Sequence, residues 1–133
     1  MSDWSTVHSL QGSWQMVRAE HDGQHAPDFV AEQTILELSA GLYRVSYSTK
    51  AIDEGQWIQT HAGIANSFTF RGERGPNAGR SIGCIFQHVG DRLRICYGLD
   101  GSTPAAFTTS AGANRYLATY RRLPTAKLSV TNL

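Results

Sequence analysis

The chain is poor in the features that usually betray a function. Only 17% of its residues are charged and the formal net charge is +1, so no strong field gathers nucleic acid or an anionic membrane. No apolar run approaches the roughly 20 residues that carry a helix across a bilayer. Residues 1–8 are polar and lack a basic stretch leading into an apolar one. No secretory signal is therefore expected, and the chain reads as cytoplasmic. Cysteine is scarce: Cys84 and Cys96 are the only two, and in the cytoplasm both are expected as reduced thiols.

Catalytic signatures are missing as well. There is no Gly-x-Ser-x-Gly elbow, no dinucleotide fingerprint and no paired-carboxylate signal. The glycines of residues 72–79 have no following lysine and helix, so they read as a turn and not a phosphate cradle. His21 and His25 are four apart, but Asp22-Gly23 makes this a turn, and no third ligand is within reach. His61 is isolated in the same way. Cys84 has no histidine or acid nearby in sequence to activate it. No metal and no cofactor is expected.

What remains is a β pattern. The 133 residues make one domain, and the 13 glycines, with few helix-period stretches, point to an all-β fold. Residues 1–9 read as a lead-in, with Trp4 and Val7 covering one end. Residues 10–123 form the domain, and residues 124–133 form a tail after Pro124. The first strand runs from Gly12 to Glu20, with Trp14, Met16 and Arg18 on one face. Asp22-Gly23 and Pro27 punctuate a loop, and residues 27–32 are expected to make one helical turn with Phe29 inward. Thr34–Ser39 and Leu42–Tyr47 alternate around Ala40-Gly41, which pairs Leu38 with Tyr43, Leu36 with Val45 and Thr34 with Tyr47.

Residues 48–53 read as a connection and 54–60 as a strand, with Trp57 and Gln59 sharing a face. Asn66–Arg71 places Phe68 and Phe70 together. A second hairpin, Ser81–His88 and Asp91–Gly98, turns at Val89-Gly90. A two-residue loop there sets Ile82, Cys84, Phe86 and His88 on the face of Leu93, Ile95 and Tyr97. Cys96 then points the other way, beside Ile85 and Gln87, which excludes a disulfide. A three-residue loop would bring both cysteines to one face. Residues 99–114 form a long connection with an irregular edge segment near Phe107. Arg115–Arg122 is the last strand. Eight antiparallel strands with short connections make an up-and-down barrel with room for one small ligand.

Gly12-Ser13-Trp14 on the first strand, answered by an arginine ending the last, resembles the lipocalin (calycin) framework. That resemblance implies an arginine packed over the tryptophan to close one end. Strand parity selects Arg122, and a shift of one would select Arg121. A closer resemblance is to a lipocalin-like family of uncharacterised bacterial domains abundant in planctomycetes. Its pattern is matched by LQGSW at 10–14, Asp22-Gly23, Asp53-Glu54-Gly55, Gly75-Pro76-Asn77-Ala78-Gly79-Arg80, and the stretch from Gly83 through Gly90-Asp91 to Cys96. The likeness covers residues 10–122. The chain departs from it at Thr103-Pro104-Ala105-Ala106-Phe107, where the family's basic and acidic residues are absent. The resemblance implies a fold and no established activity.

Tyr43, Tyr47, Tyr97, Tyr116 and Tyr120 fall on inward faces, as do Trp57, Phe68, Phe70 and Phe86. They form either a packed aromatic core or the wall of a cavity. Arg18, Gln59 and His88 are the polar residues at inward parity. Arg18 is the candidate for recognising an anion or carbonyl, and His88 borders a turn at the rim. With Trp14 and Arg122 closing one end, the site is expected at the other, centred on Arg18, Tyr47, Trp57, Phe70, Phe86, Tyr97 and Tyr116. His88 and Leu93 are expected at its periphery. Three functions fit: a binding protein for a small apolar or aromatic molecule, a cofactor-free cyclase or isomerase acting on a reactive small molecule, or a solid-cored interaction domain. No nucleic-acid or membrane partner is expected.

Overall fold

A computed structural model describes residues 9–59 and 66–124. Trp4, Val7, His61 and the tail beyond Pro124 lie outside the described residues. The elements are β1 (Gly12–His21), β2 (Gln24–His25), α1 (Asp28–Glu32), β3 (Thr34–Ser39), β4 (Leu42–Tyr47), β5 (Lys50–Gln59), β6 (Ser67–Arg74), β7 (Ser81–Val89), β8 (Arg92–Gly98) and β9 (Arg115–Arg122). From β3 to β9 each strand pairs antiparallel with the next, and β1 pairs with both β3 and β9. The eight long strands therefore close into an up-and-down barrel without a free edge. β2 adds a two-residue rung to β1.

The period of two decides what fills it. Trp14 and Met16 of β1, Leu36 and Leu38 of β3, Phe68 and Phe70 of β6, and Leu93 and Ile95 of β8 all turn inward and are buried. Each large apolar side chain so buried contributes about 1.5–3 kcal/mol. The β3–β4 register is the expected one, with Leu38 opposite Tyr43, Leu36 opposite Val45 and Thr34 opposite Tyr47. Glu37, Arg44 and Glu54 face outward. Arg44 donates to Glu37 and Glu54, both at 3.1 Å, and such exposed pairs add only about 0–1 kcal/mol.

Several expectations need correction. The Ser48–Asp53 connection is largely strand: β5 begins at Lys50, and only Ser48 and Thr49 turn, both at positive φ. Neither is a residue that advertises that conformation, so the turn was invisible in the sequence. Phe29 is 60% exposed; α1 turns Ala31 inward instead. The second hairpin turns at Gly90-Asp91, so Val89 pairs with Arg92 and Cys84 with Tyr97. That displaces the pairing but preserves the faces, and Cys84 and Cys96 do point to opposite sides. Cys96 is nevertheless buried, because the 99–114 connection folds over the outside of β7 and β8. Its Sγ lies 3.9 Å from the Thr108 carbonyl, and Phe107 covers Arg94 at 4.3 Å. A closed barrel has no edge for an added strand, so the segment packs as a cover.

Arg18 is the largest correction. Its side chain is outside, exposed, with Nη2 3.5 Å from His25 Nε2. A bulge in β1 is the reason: Met16 pairs with Tyr120 but Arg18 with Thr119, leaving Val17 as the extra residue. One inserted residue reverses the parity beyond it. The inward set therefore continues through Ala19, which is buried.

Candidate functional site: a cavity at the open end

One end of the barrel is plugged. Trp14 has no exposed surface, and its Nε1 donates to the Leu10 carbonyl at 2.8 Å. Arg122 lies opposite it across the β1–β9 ladder and stacks over its ring at 4.3 Å. The guanidinium donates to the carbonyls of Gln11 (2.8 Å) and Ser9 (2.6 Å), so it ties the strand entering the barrel to the one leaving it. Gly12 makes the approach possible. Its φ is +132°, and a Cβ there would stand 2.8 Å from Arg122 Nη1.

Above the plug lies a packed aromatic floor. Phe68 meets Trp57 edge-on at 5.6 Å and stacks with Phe86 at 5.5 Å. Trp57 Nε1 donates to the Ser39 carbonyl at 2.7 Å, which satisfies its polar atom. Trp57 and Phe86 are thus floor residues and do not line the space above. His88 sits beside Trp14, with ring centres 5.5 Å apart, at the closed end.

The open half holds a cavity of about 420 Å³. Tyr47, Phe70, Tyr97 and Tyr116 line it, so four of the seven expected residues come together there. Tyr43, Tyr120, Met16 and Ile82 complete the lower wall, and Val30 of α1 reaches the rim. Helix α1 is held across this end by Thr34 Oγ1, which donates to the Val30 carbonyl at 2.7 Å, and by Gln15 Nε2, 3.0 Å from the Ala31 carbonyl. His21 stands at the mouth with its ring 6.4 Å from Tyr116, while His25 of β2 is exposed on the outside, so the two do not converge.

The Tyr97 and Tyr120 phenols are buried, and Tyr116 is partly so. Tyr97 and Tyr120 share a hydrogen bond of 2.6 Å between hydroxyls, and the Tyr116 hydroxyl points at Met16 Sδ at 3.9 Å. Burial pushes Tyr97 and Tyr120 well above the usual phenol range and raises Tyr116 as well, so all three are neutral at physiological pH. Burial likewise raises the Cys84 thiol, which leaves it a poor nucleophile.

Sequence reading missed the acid in this wall. Asp53 is 8% exposed and lines the cavity. It continues the inward alternation of Trp57 and Gly55 on β5, and the strand bulges at Ile52 just before it: Val45 pairs with Asp53, but Ser46 pairs with Ala51. Its Oδ2 accepts from Asn77 Nδ2 at 2.9 Å. Its Oδ1 is buried without a hydrogen-bond partner among the described residues, although the Tyr43 phenol is close enough to stabilise the carboxylate. Burial raises its pKa from the ordinary carboxyl value, and Asn77 and Tyr43 oppose that rise. Tyr43 is pushed upward by burial first and then by the charge of Asp53.

The turn that presents Asn77 is tightly specified. Gly75 has φ +96°, and a Cβ there would lie 2.2 Å from the Ile52 carbonyl. Ala78 N donates to the Gly75 carbonyl, and Arg80 Nη1 donates to Asn77 Oδ1 at 3.2 Å. Asp53 and Asn77 belong to the Asp-Glu-Gly and Gly-Pro-Asn stretches read in the sequence.

A larger hollow of about 580 Å³ lies on the outer wall by Glu37, Arg44 and Glu54. Those charges are already paired with one another in solvent, so the interior cavity is the stronger candidate. No helix among the described residues is long and apolar enough to cross a membrane. No protein-family model, curated protein or solved structure matches this chain.

Proposed function

We propose that this chain is a lipocalin-like binding protein that holds a small apolar or aromatic molecule in the open half of its barrel. The observation that carries this reading is the cavity of about 420 Å³, walled by aromatic and aliphatic side chains with few polar groups. Small-molecule sites of roughly 300–1,000 Å³ have this mixture. Trp14 and Arg122 brace one end, which leaves the mouth under α1 for exchange. The two buried thiols, on opposite sides of the sheet, fit a reducing cytoplasm. Neither a nucleic acid nor a membrane is part of this reading.

Native mass spectrometry of the purified protein tests it, followed by titration with a neutral apolar fluorescent probe such as N-phenyl-1-naphthylamine. Saturable one-to-one binding is expected, abolished by Val45→Trp, which fills the cavity from β4. Absence of saturable binding by a folded protein would sink the proposal.

One observation favours a catalytic variant, a cofactor-free cyclase or isomerase. Asp53, with its raised pKa, shares the cavity with the neutral phenols of Tyr43, Tyr97, Tyr116 and Tyr120, and a displaced carboxyl can move a proton to or from a bound molecule. Turnover of a bound compound, lost in Asp53→Asn with binding retained, distinguishes the enzyme from the carrier.

A further inference from the structure

Asp53 stands out among the groups around the cavity. Among the described residues it is the one carboxylate that lines the cavity, and no lysine or arginine of that set lines it. Of the described residues, His21 at the mouth is the one basic side chain in the wall. A buried carboxylate ordinarily has a cation beside it, because an unpaired charge taken out of water is costly. Asp53 has a carboxamide on one oxygen and no hydrogen-bond partner on the other among the described residues. The protein therefore gives this carboxylate neutral donors, the Asn77 carboxamide and the nearby Tyr43 phenol, and no cation of its own among the described residues.

The surrounding walls limit what that is. Phe70 and Tyr97 stack at 5.7 Å, and Tyr97 and Tyr116 meet at 5.3 Å, both pairs within the same wall. Aromatic rings attract a cation through their negative faces, and most strongly where water is excluded. An anionic ligand would meet an acid and no counter-charge. A neutral hydrocarbon would leave Asp53 as unpaired as before.

We propose that the cavity selects small aromatic or apolar molecules bearing a cationic amine, with Asp53 as the anchor and Phe70, Tyr97 and Tyr116 as the aromatic wall. This rests on the small-molecule reading above and names the class of ligand for that site. The Asn77 carboxamide holds the carboxylate in place from its far oxygen. Tyr43, kept as a neutral phenol, adds no competing charge.

Isothermal titration calorimetry at neutral pH with phenethylamine, phenethyl alcohol and hydrocinnamate is the test. The three probes share one phenylethyl body and differ in charge. The amine is expected to bind at least about tenfold tighter than the alcohol, as a hydrogen bond to a charged group allows, and hydrocinnamate is expected to bind weakest. Asp53→Asn should bring the amine within about threefold of the alcohol and leave the alcohol unchanged. Equal or tighter binding of the alcohol or of hydrocinnamate to the native protein overturns the amine preference and leaves the cavity reading standing. A preference that survives Asp53→Asn overturns the role of Asp53. If none of the three binds, the small-molecule reading falls and this one with it. The comparison within the native protein needs no variant to fold.

Discussion

Arg122 lies 4.3 Å above the ring of Trp14, directly across the β1–β9 ladder, while two of its nitrogens hold the carbonyls of Ser9 and Gln11. One side chain thus covers the plug and laces the two ends of the chain together. Trp14→Ala should cost about 3–5 kcal/mol, the usual range for a large buried ring. Arg122→Ala should cost less, since its surface is half-buried and carbonyls at the rim regain water. The double variant should cost less than the sum by about 0.5–2 kcal/mol, because contacting residues are coupled. Urea unfolding of the four proteins measures the cycle, and strict additivity would remove the closure.

The bulge in β1 makes a prediction opposite to simple alternation. Arg18→Ala should change stability by no more than about 0.5 kcal/mol, as for an ordinary surface position, and leave probe affinity untouched. Tyr116→Ala should weaken the probe several-fold. Titrating both variants side by side checks which parity governs the wall. A large loss on Arg18→Ala and none on Tyr116→Ala would place the bulge elsewhere.

Two carboxyls should act on acid stability with opposite sign. Asp100 is held down to about 2, first by the Ser102 hydroxyl at 2.7 Å and then by the Ser102 amide and Arg115. Its folded value is depressed, so its stabilisation is present above the unfolded pKa and lost as pH falls toward about 2. Asp53 is raised by burial, so ionising it opposes folding. That penalty is absent below its unfolded pKa and complete once pH has climbed past its folded value. Thermal melts across acid pH should show Asp100→Asn losing part of the steep acid limb. Asp53→Asn should gain on the native protein as pH rises toward neutral. A parallel response of both variants is the failing outcome.

The cysteines should differ in the opening that exposes them. Cys84 lies inside the barrel, and reaching it requires the sheet to open. Cys96 lies outside β8 beneath the 99–114 cover, with its Sγ against Thr108. Under native conditions Cys96 should react with a thiol reagent through lifting of that cover, and Cys84 only with global unfolding. Mass spectrometry of the singly labelled species reads the order. Labelling of Cys84 first contradicts the placement.

Much of this molecule was legible in its residues. Alternation placed the inward rows of β3, β4, β6 and β8, and Ala40-Gly41 set a hairpin whose register the barrel keeps. These features depend on neighbours a few residues away, so a local pattern is enough. The pairing of Trp14 with Arg122 was also within reach, because both sit at strand ends where parity has not yet drifted.

The site was legible only in part, and the reason is the bulge. An extra residue at Val17 leaves no mark in its own strand's composition; it exists only as a count of two residues against one on a partner. Yet it turned Arg18 out, while Asp53 lay one residue outside a strand read as beginning at Glu54, although alternation from Trp57 points it inward. Depth along the barrel was the second hidden quantity. Trp57 and Phe86 share the inward face with Tyr97, but they lie below it, in a floor that Phe68 fills. Which inward residues meet empty space and which meet one another follows from how large side chains on different strands stack at one level. That is a volume relation among distant parts of the chain, and it comes into being only when the barrel closes.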